Sequence, residues 1–143
     1  MFPLDTKILI VDDSSFSRVL LKNALKEIGF WKLVEASNAK DAASILQDRE
    51  SERDPFHLMI VDIHMPELSG LDLVRWARGR ESLKDIPIIV LTSSQEKADV
   101  LTAGRLGVTH FIIKPFDNNT LKERLLTTWQ RHGQKYYENR KKA

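Results

Sequence analysis

Short, mainly apolar runs alternate along this chain with longer segments whose apolar residues recur at helical spacing. The runs lie at residues 7–11, 33–36, 56–61, 88–91 and 108–112. Such runs suit strands buried on both faces, and the helical segments between them supply the covering layers. The pattern predicts repeated βαβ units, and therefore an α/β fold with a parallel sheet covered on both sides. The second run, with Leu33, Val34 and Ala36, is the least apolar and is assigned to a sheet edge.

Local signals set the helix limits. Ser14 or Ser15 caps a first helix carrying Leu20, Leu21, Ala24, Leu25 and Ile28, and Gly29 stops it. Asn38 caps a second helix with Ala39, Ala42, Ala43, Ile45 and Leu46, which the polar stretch 47–55 ends. Leu71, Val74, Trp76 and Ala77 follow Gly70 in a third helix, and Pro87 opens the fourth strand, where a missing donor is tolerated. Ser94 is expected to cap a fourth helix containing Ala98, Leu101 and Ala103. The last helix starts near Asp117 or Asn118, holds Leu121, Leu125, Leu126 and Trp129, and is drawn past Gly133. Right-handed crossovers leave few topologies, and strand order 2-1-3-4-5 makes the first and third strands neighbours.

Chemistry gathers where four of the runs end. Asp12 and Asp13 follow the first strand, Asp62 the third, Thr92 the fourth, and Lys114 with Pro115 the fifth. In a parallel α/β sheet ligands bind outside the carboxyl ends of the strands, so these separated residues form one site. Two unit charges 4 Å apart repel by about 4 kcal/mol at an effective dielectric of 20, so three converging carboxylates need a proton or a divalent cation. An all-oxygen donor set points to Mg²⁺, with Mn²⁺ as a substitute. Asp62, alone at its strand tip, is the candidate nucleophile toward phosphorus; Lys114 supplies positive charge and Thr92 a hydrogen bond. Singly, each residue has an ordinary reading as a helix cap, a loop residue or a surface lysine. Their joint placement carries the functional one.

Composition narrows the alternatives. The 143 residues suit one domain, no cysteine is present, and the four histidines show no metal-ligand spacing. No apolar run approaches the length of a membrane span and no secretory signal is visible, so a cytosolic location is expected. Residues 1–130 hold 17 Lys or Arg against 19 Asp or Glu, a formal −2, whereas residues 131–143 hold five basic residues and Glu138, a formal +4. The body is therefore not a nucleic-acid binder by charge. Residues 131–143 form a basic helix extension or tail, read mainly as a solvated helix terminus; contact of Arg131, Lys135, Arg140, Lys141 and Lys142 with nucleic acid or an acidic partner is the other reading.

The segments Ile8-Leu9-Ile10-Val11-Asp12-Asp13-Ser14, Val61-Asp62-Ile63-His64-Met65-Pro66, Leu91-Thr92-Ser93 and Lys114-Pro115-Phe116, with Gly70, resemble the receiver domains of two-component response regulators. The resemblance covers about residues 6–130, so residues 1–130 are taken as the receiver domain. It implies the flavodoxin-like fold, three layers with sheet order 2-1-3-4-5. It also implies phosphorylation of Asp62 by a histidine kinase or histidine phosphotransfer protein, and Mg²⁺ held by Asp12, Asp13, Asp62 and the backbone carbonyl of His64. Thr92 and Lys114 would contact the phosphoryl group, and Thr92 with Phe111 would form the switch. Many members carry tyrosine at the position of Phe111, which lacks the hydroxyl and would switch by packing alone. His64 is the other departure: its imidazole either covers the phosphoryl group and alters its lifetime, or faces solvent. Ser94, at a second rate-tuning position, is small.

The resemblance further implies a downstream protein target or fused output domain, a face on the fourth and fifth helices to which Leu101, Arg105 and Lys122 contribute, and a phosphorylation-dependent homodimer as one form of output. Intrinsic loss of phosphate from Asp62 is expected, without turnover of an external substrate. Two alternatives are a receiver fragment of a DNA-binding regulator or hybrid kinase, and an aspartyl-phosphate phosphatase. The phosphatase would need another acid beside Asp62, and Ile63-His64 supplies none.

Overall fold

A computed structural model describes residues 1–141, so Lys142 lies outside the described residues. Five parallel strands, β1 (Ile8–Val11), β2 (Leu33–Ala36), β3 (Leu58–Val61), β4 (Ile88–Thr92) and β5 (His110–Ile113), form a single sheet in the order 2-1-3-4-5. Alternate residues of each strand face opposite layers, as the two-residue period requires. Leu9, Val11, Met59, Val61 and Ile88 pack with α2 (Ala39–Ser51) and α3 (Gly70–Arg78). Ile8, Ile10, Leu58, Ile60, Ile89 and Ile112 pack with α1 (Ser15–Ile28) and α5 (Asn118–Thr128). A smaller cluster of Ile63, Leu71, Val90 and Ala103 seats α4 (Lys97–Arg105). The fold is flavodoxin-like, (βα)5, as the sequence implied.

The cap signals hold in three of four cases. Ser14, Asn38 and Asp117 each accept a backbone N–H of their helix's first turn, and Gly29 ends α1 at φ +119°, a left-handed conformation that suits glycine. Ser94 does not cap α4. Glu96 is the capping residue and makes no side-chain bond, while the buried Ser94 donates its hydroxyl to Asp99 Oδ2 at 2.8 Å. The second helix outruns its predicted end and continues through Ser51, because Asp48, Arg49 and Glu50 are acceptable helix residues despite being polar. Leu20, Leu101 and Leu126, assigned to apolar helix faces, are exposed, so the buried stripes are narrower than the sequence suggested.

The basic end is more than a solvated terminus. A π-helical turn, Trp129–Gly133, follows α5 and leads into α6 (Gln134–Lys141), where Tyr136 and Tyr137 are buried. Tyr136 donates to Ser82 O at 3.2 Å and Tyr137 to Asp5 Oδ1 at 2.9 Å, while the Trp129 ring meets Phe2 edge-on at 5.1 Å. Two aromatic side chains with their hydroxyls partnered bury enough surface to dock the helix, which net charge alone does not reveal.

Candidate functional site

Strand register builds the site. Val11 pairs with Val61, so Asp12 and Asp62 leave neighbouring strands side by side, joined by the Asp62 N–H to Val11 O bond of 2.9 Å. Both are buried, and each has a carboxylate oxygen that lies within 4.8 Å of the other and of one from exposed Asp13. Lys114 Nζ donates to Asp12 Oδ2 at 2.7 Å and to Asp62 Oδ2 at 3.4 Å. Burial alone would pull the Lys114 ammonium down, but its hydrogen bond with Asp12 and the charges of Asp62 and Asp12 outweigh that and hold it above the ordinary lysine value.

The four charged groups do not balance. Asp12 has both oxygens engaged, Oδ1 by the Ser14 N–H at 2.9 Å and Oδ2 by Lys114. Asp62 Oδ1 is buried with no hydrogen-bond partner. A buried carboxylate oxygen without a donor is costly, and an oxygen-seeking divalent cation or an incoming electrophile is the kind of group that relieves it. The donor set therefore fits a divalent metal of the Mg²⁺ type.

Neighbouring residues fix this geometry. Gly70 brings the start of α3 against β3: its N–H donates to Ile63 O at 2.7 Å, and a Cβ there would lie 2.0 Å from Asp62 O. Thr92 is fully buried, its carbonyl accepting the Lys114 N–H at 2.9 Å and its hydroxyl accepting the Ser94 N–H at 3.3 Å. The Lys114–Pro115 bond is cis. Phe111 is half-buried and packs on the cluster of Ile63, Leu71, Val90 and Ala103.

The His64 imidazole is exposed, as the solvent-facing reading expected, yet it is not without a partner. Its Nε2 lies 3.2 Å from Asp99 Oδ2, the oxygen that also accepts the Ser94 hydroxyl, so it ties the loop after β3 to α4. Sequence reasoning also missed Ser17 and Arg18. Ser17 Oγ lies 3.4 Å from Lys114 Nζ, and Arg18 Nη1 donates to Asp12 O at 2.6 Å while its Nε pairs with Glu35. Their signal was their place in the first turn after the Ser14 cap, which turns them back toward the strand end.

A parallel sheet with an acidic triad and one lysine at its carboxyl rim defines a phosphoacceptor domain built to take additional negative charge. The chain belongs to the response regulator receiver domain family, whose match spans residues 8–126. It is 40% identical over 119 residues to the chemotaxis protein CheY1 of Helicobacter pylori, covering 83% of this chain and 93% of that one. The CheY homolog of Campylobacter jejuni is also 40% identical over 119 residues, covering 83% of this chain and 88% of that one. Among solved structures, the signal receiver domain of a signal transduction histidine kinase from Syntrophus aciditrophicus superposes with a TM-score of 0.75 at 31% identity, covering 87% of this chain and 90% of that one. Vibrio cholerae CheY4 gives a TM-score of 0.74 at 26% identity, covering 87% and 98%. The protein is thus a receiver domain of two-component signalling, a phosphoacceptor and not a dedicated enzyme. Among the described residues no helix is long and apolar enough to cross a membrane.

Proposed function

We propose that Asp62 is the phosphoacceptor and that a phosphohistidine on a histidine kinase or histidine phosphotransfer protein is the donor. The unpartnered, buried Oδ1 of Asp62 carries this reading. A carboxylate oxygen of Asp62 attacks phosphorus, the P–N bond breaks, and the imidazole leaves with its electron pair and takes a proton from water. Lys114, already within reach of Asp62, shifts its charge toward the phosphoryl oxygens, and the Thr92 hydroxyl turns to donate to them. Asp12, Asp13, Asp62 and the backbone carbonyl of His64 would hold Mg²⁺, or Mn²⁺ in its place; when bound it neutralises the oxygens of the transferring group.

Reorientation of Thr92 empties space that half-buried Phe111 fills by packing alone, which alters the surface of α4, β5 and α5. Exposed Leu101 and Lys122, with Arg105, lie on that output face, which would meet a downstream protein, a fused output domain or a second phosphorylated copy. The donor would dock beside the site, where Phe16, Val19 and Leu20 leave an exposed apolar face on α1. With Mg²⁺ and a small acyl phosphate, the wild-type chain should take up one phosphate and Asp62→Ala none. Equal uptake by the variant would remove Asp62 from the role.

A further inference from the structure

A cavity of about 590 Å³ opens at the end of the sheet opposite Asp62. The C-terminal ends of α3 and α4 contribute Arg78 and Arg105, and the loop entering β4 contributes Lys84; the π-helical turn and α6 contribute Arg131, Lys135 and Arg140. Among the described lining residues Asp85 is the one carboxylate. Parallel strands of four or five residues separate this rim from the acidic one by about 15 Å.

The cations are not neutralised by ion pairs. Lys84 meets Glu81 at 3.0 Å on the surface, but among the described residues Arg78, Arg105, Arg131, Lys135 and Arg140 have no carboxylate within ion-pair distance. Arg78 is anchored instead by the carbonyl oxygens of Leu83, Lys84, Ile86, Leu106 and Gly107, at 2.9 to 3.3 Å. These bonds satisfy its donors; burial pushes the guanidinium below its ordinary value, and the charge of Asp85 offsets only part of that. Arg131 donates to Thr109 O at 3.3 Å and Arg140 to Ser82 O at 2.9 Å, while Arg140 Nε is buried with no partner. Six cations facing one carboxylate around a concavity repel one another, and a multivalent anion offsets that repulsion.

We infer that this cavity binds a soluble phosphate compound of up to nucleotide size carrying two or more negative charges. Arg105, Arg131 and Arg140, which keep donors free where Arg78 does not, favour phosphate, whose oxygens match the planar guanidinium fork. The volume falls in the range of small-ligand sites, roughly 300–1,000 Å³. A nucleic-acid strand is disfavoured because the cations converge on a hollow instead of forming a stripe, and residues 1–130 are formally −2. Arg131, Lys135 and Arg140 lie beyond the family match, which ends at residue 126, so three of the six cations come from the segment after it.

Amide-detected NMR titration of the whole chain in EDTA, with ADP, pyrophosphate and a 20-nucleotide single strand as probes, tests the assignment. ADP or pyrophosphate should saturate one site, with shifts confined to the neighbourhood of residues 78, 84–85, 105–109 and 131–140. The tighter of the two identifies a nucleotide or an inorganic source. Lys135→Gln, exposed and unpaired, and Arg131→Gln, exposed and bonded only to Thr109 O, should each weaken binding about fivefold and leave phosphate uptake at Asp62 unchanged. Lack of saturation, shifts centred elsewhere, or unchanged affinity in both variants would overturn the proposal. So would binding of the DNA strand that ADP fails to displace.

Discussion

The two rims of the sheet carry opposite charge and depend on different parts of the chain. At the carboxyl rim Asp12, Asp62, Thr92 and Lys114 end strands or directly follow them, and the pairing of Val11 with Val61 sets the two buried acids together. At the amino rim the charged residues come from the ends of α3 and α4, the loop entering β4, the π-helical turn and α6, the last held by the burial of Tyr136 and Tyr137. Backbone register fixes the first arrangement. Side-chain docking of a C-terminal segment fixes the second, so the two should respond separately to substitution.

The largest effect is expected at the docked helix. Tyr136→Ala removes a buried ring and its bond to Ser82 O, which should destabilise the fold by about 3 kcal/mol. Urea unfolding measures the loss, and phosphate uptake by the remaining folded protein should be unchanged. A fall in uptake without a fall in stability would mean that the rims are coupled. Next comes Gly70→Ala, where a Cβ 2.0 Å from Asp62 O forces α3 away from β3, at a cost of about 2 kcal/mol. Here uptake should slow as well, because the displaced backbone is that of Asp62.

Asp62→Asn should move stability the other way. It removes charge from a buried carboxylate whose Oδ1 has no partner, while Asp12 keeps Lys114 at 2.7 Å. Thermal melts in EDTA should show a gain of about 1 kcal/mol. Added Mg²⁺ should shrink the gap, since the wild type has three acids to offset and the variant two. A variant less stable than wild type in EDTA would show that attraction to Lys114 outweighs the repulsion among the acids.

The acidic rim was legible in the sequence because its residues sit at the end of a strand or within two residues of it, and strand order follows from a few handedness rules. Leu20, Leu101 and Leu126 were misassigned because helical spacing marks an apolar stripe without showing how wide a face the sheet covers. Ser94 was read as a cap because its residue type suits one, yet Asp99, five residues on, draws its hydroxyl. The basic cavity was invisible for a stronger reason. Arg78 and Arg140 are 62 residues apart, and only the burial of the tyrosines shows that the charged end folds back over the sheet.

The smallest effect is expected where the acidic rim meets its neighbouring helix. His64 Nε2 lies 3.2 Å from Asp99 Oδ2 and the Ser94 hydroxyl 2.8 Å from the same oxygen, so the loop after Asp62 is tied to α4 at one point. Asparagine is too short to span from residue 64 to Asp99, and a released loop admits water more readily to a phosphoryl group on Asp62. His64→Asn should therefore shorten the phosphorylated lifetime by about twofold to fivefold, the range open to an exposed polar contact. Asp99→Ala, which leaves the imidazole in place but removes its partner, should shorten it to a similar degree. If only His64→Asn acts, the ring works on the phosphoryl group itself; equal decay of all three proteins at matched Mg²⁺ would show that the tie does not guard the site.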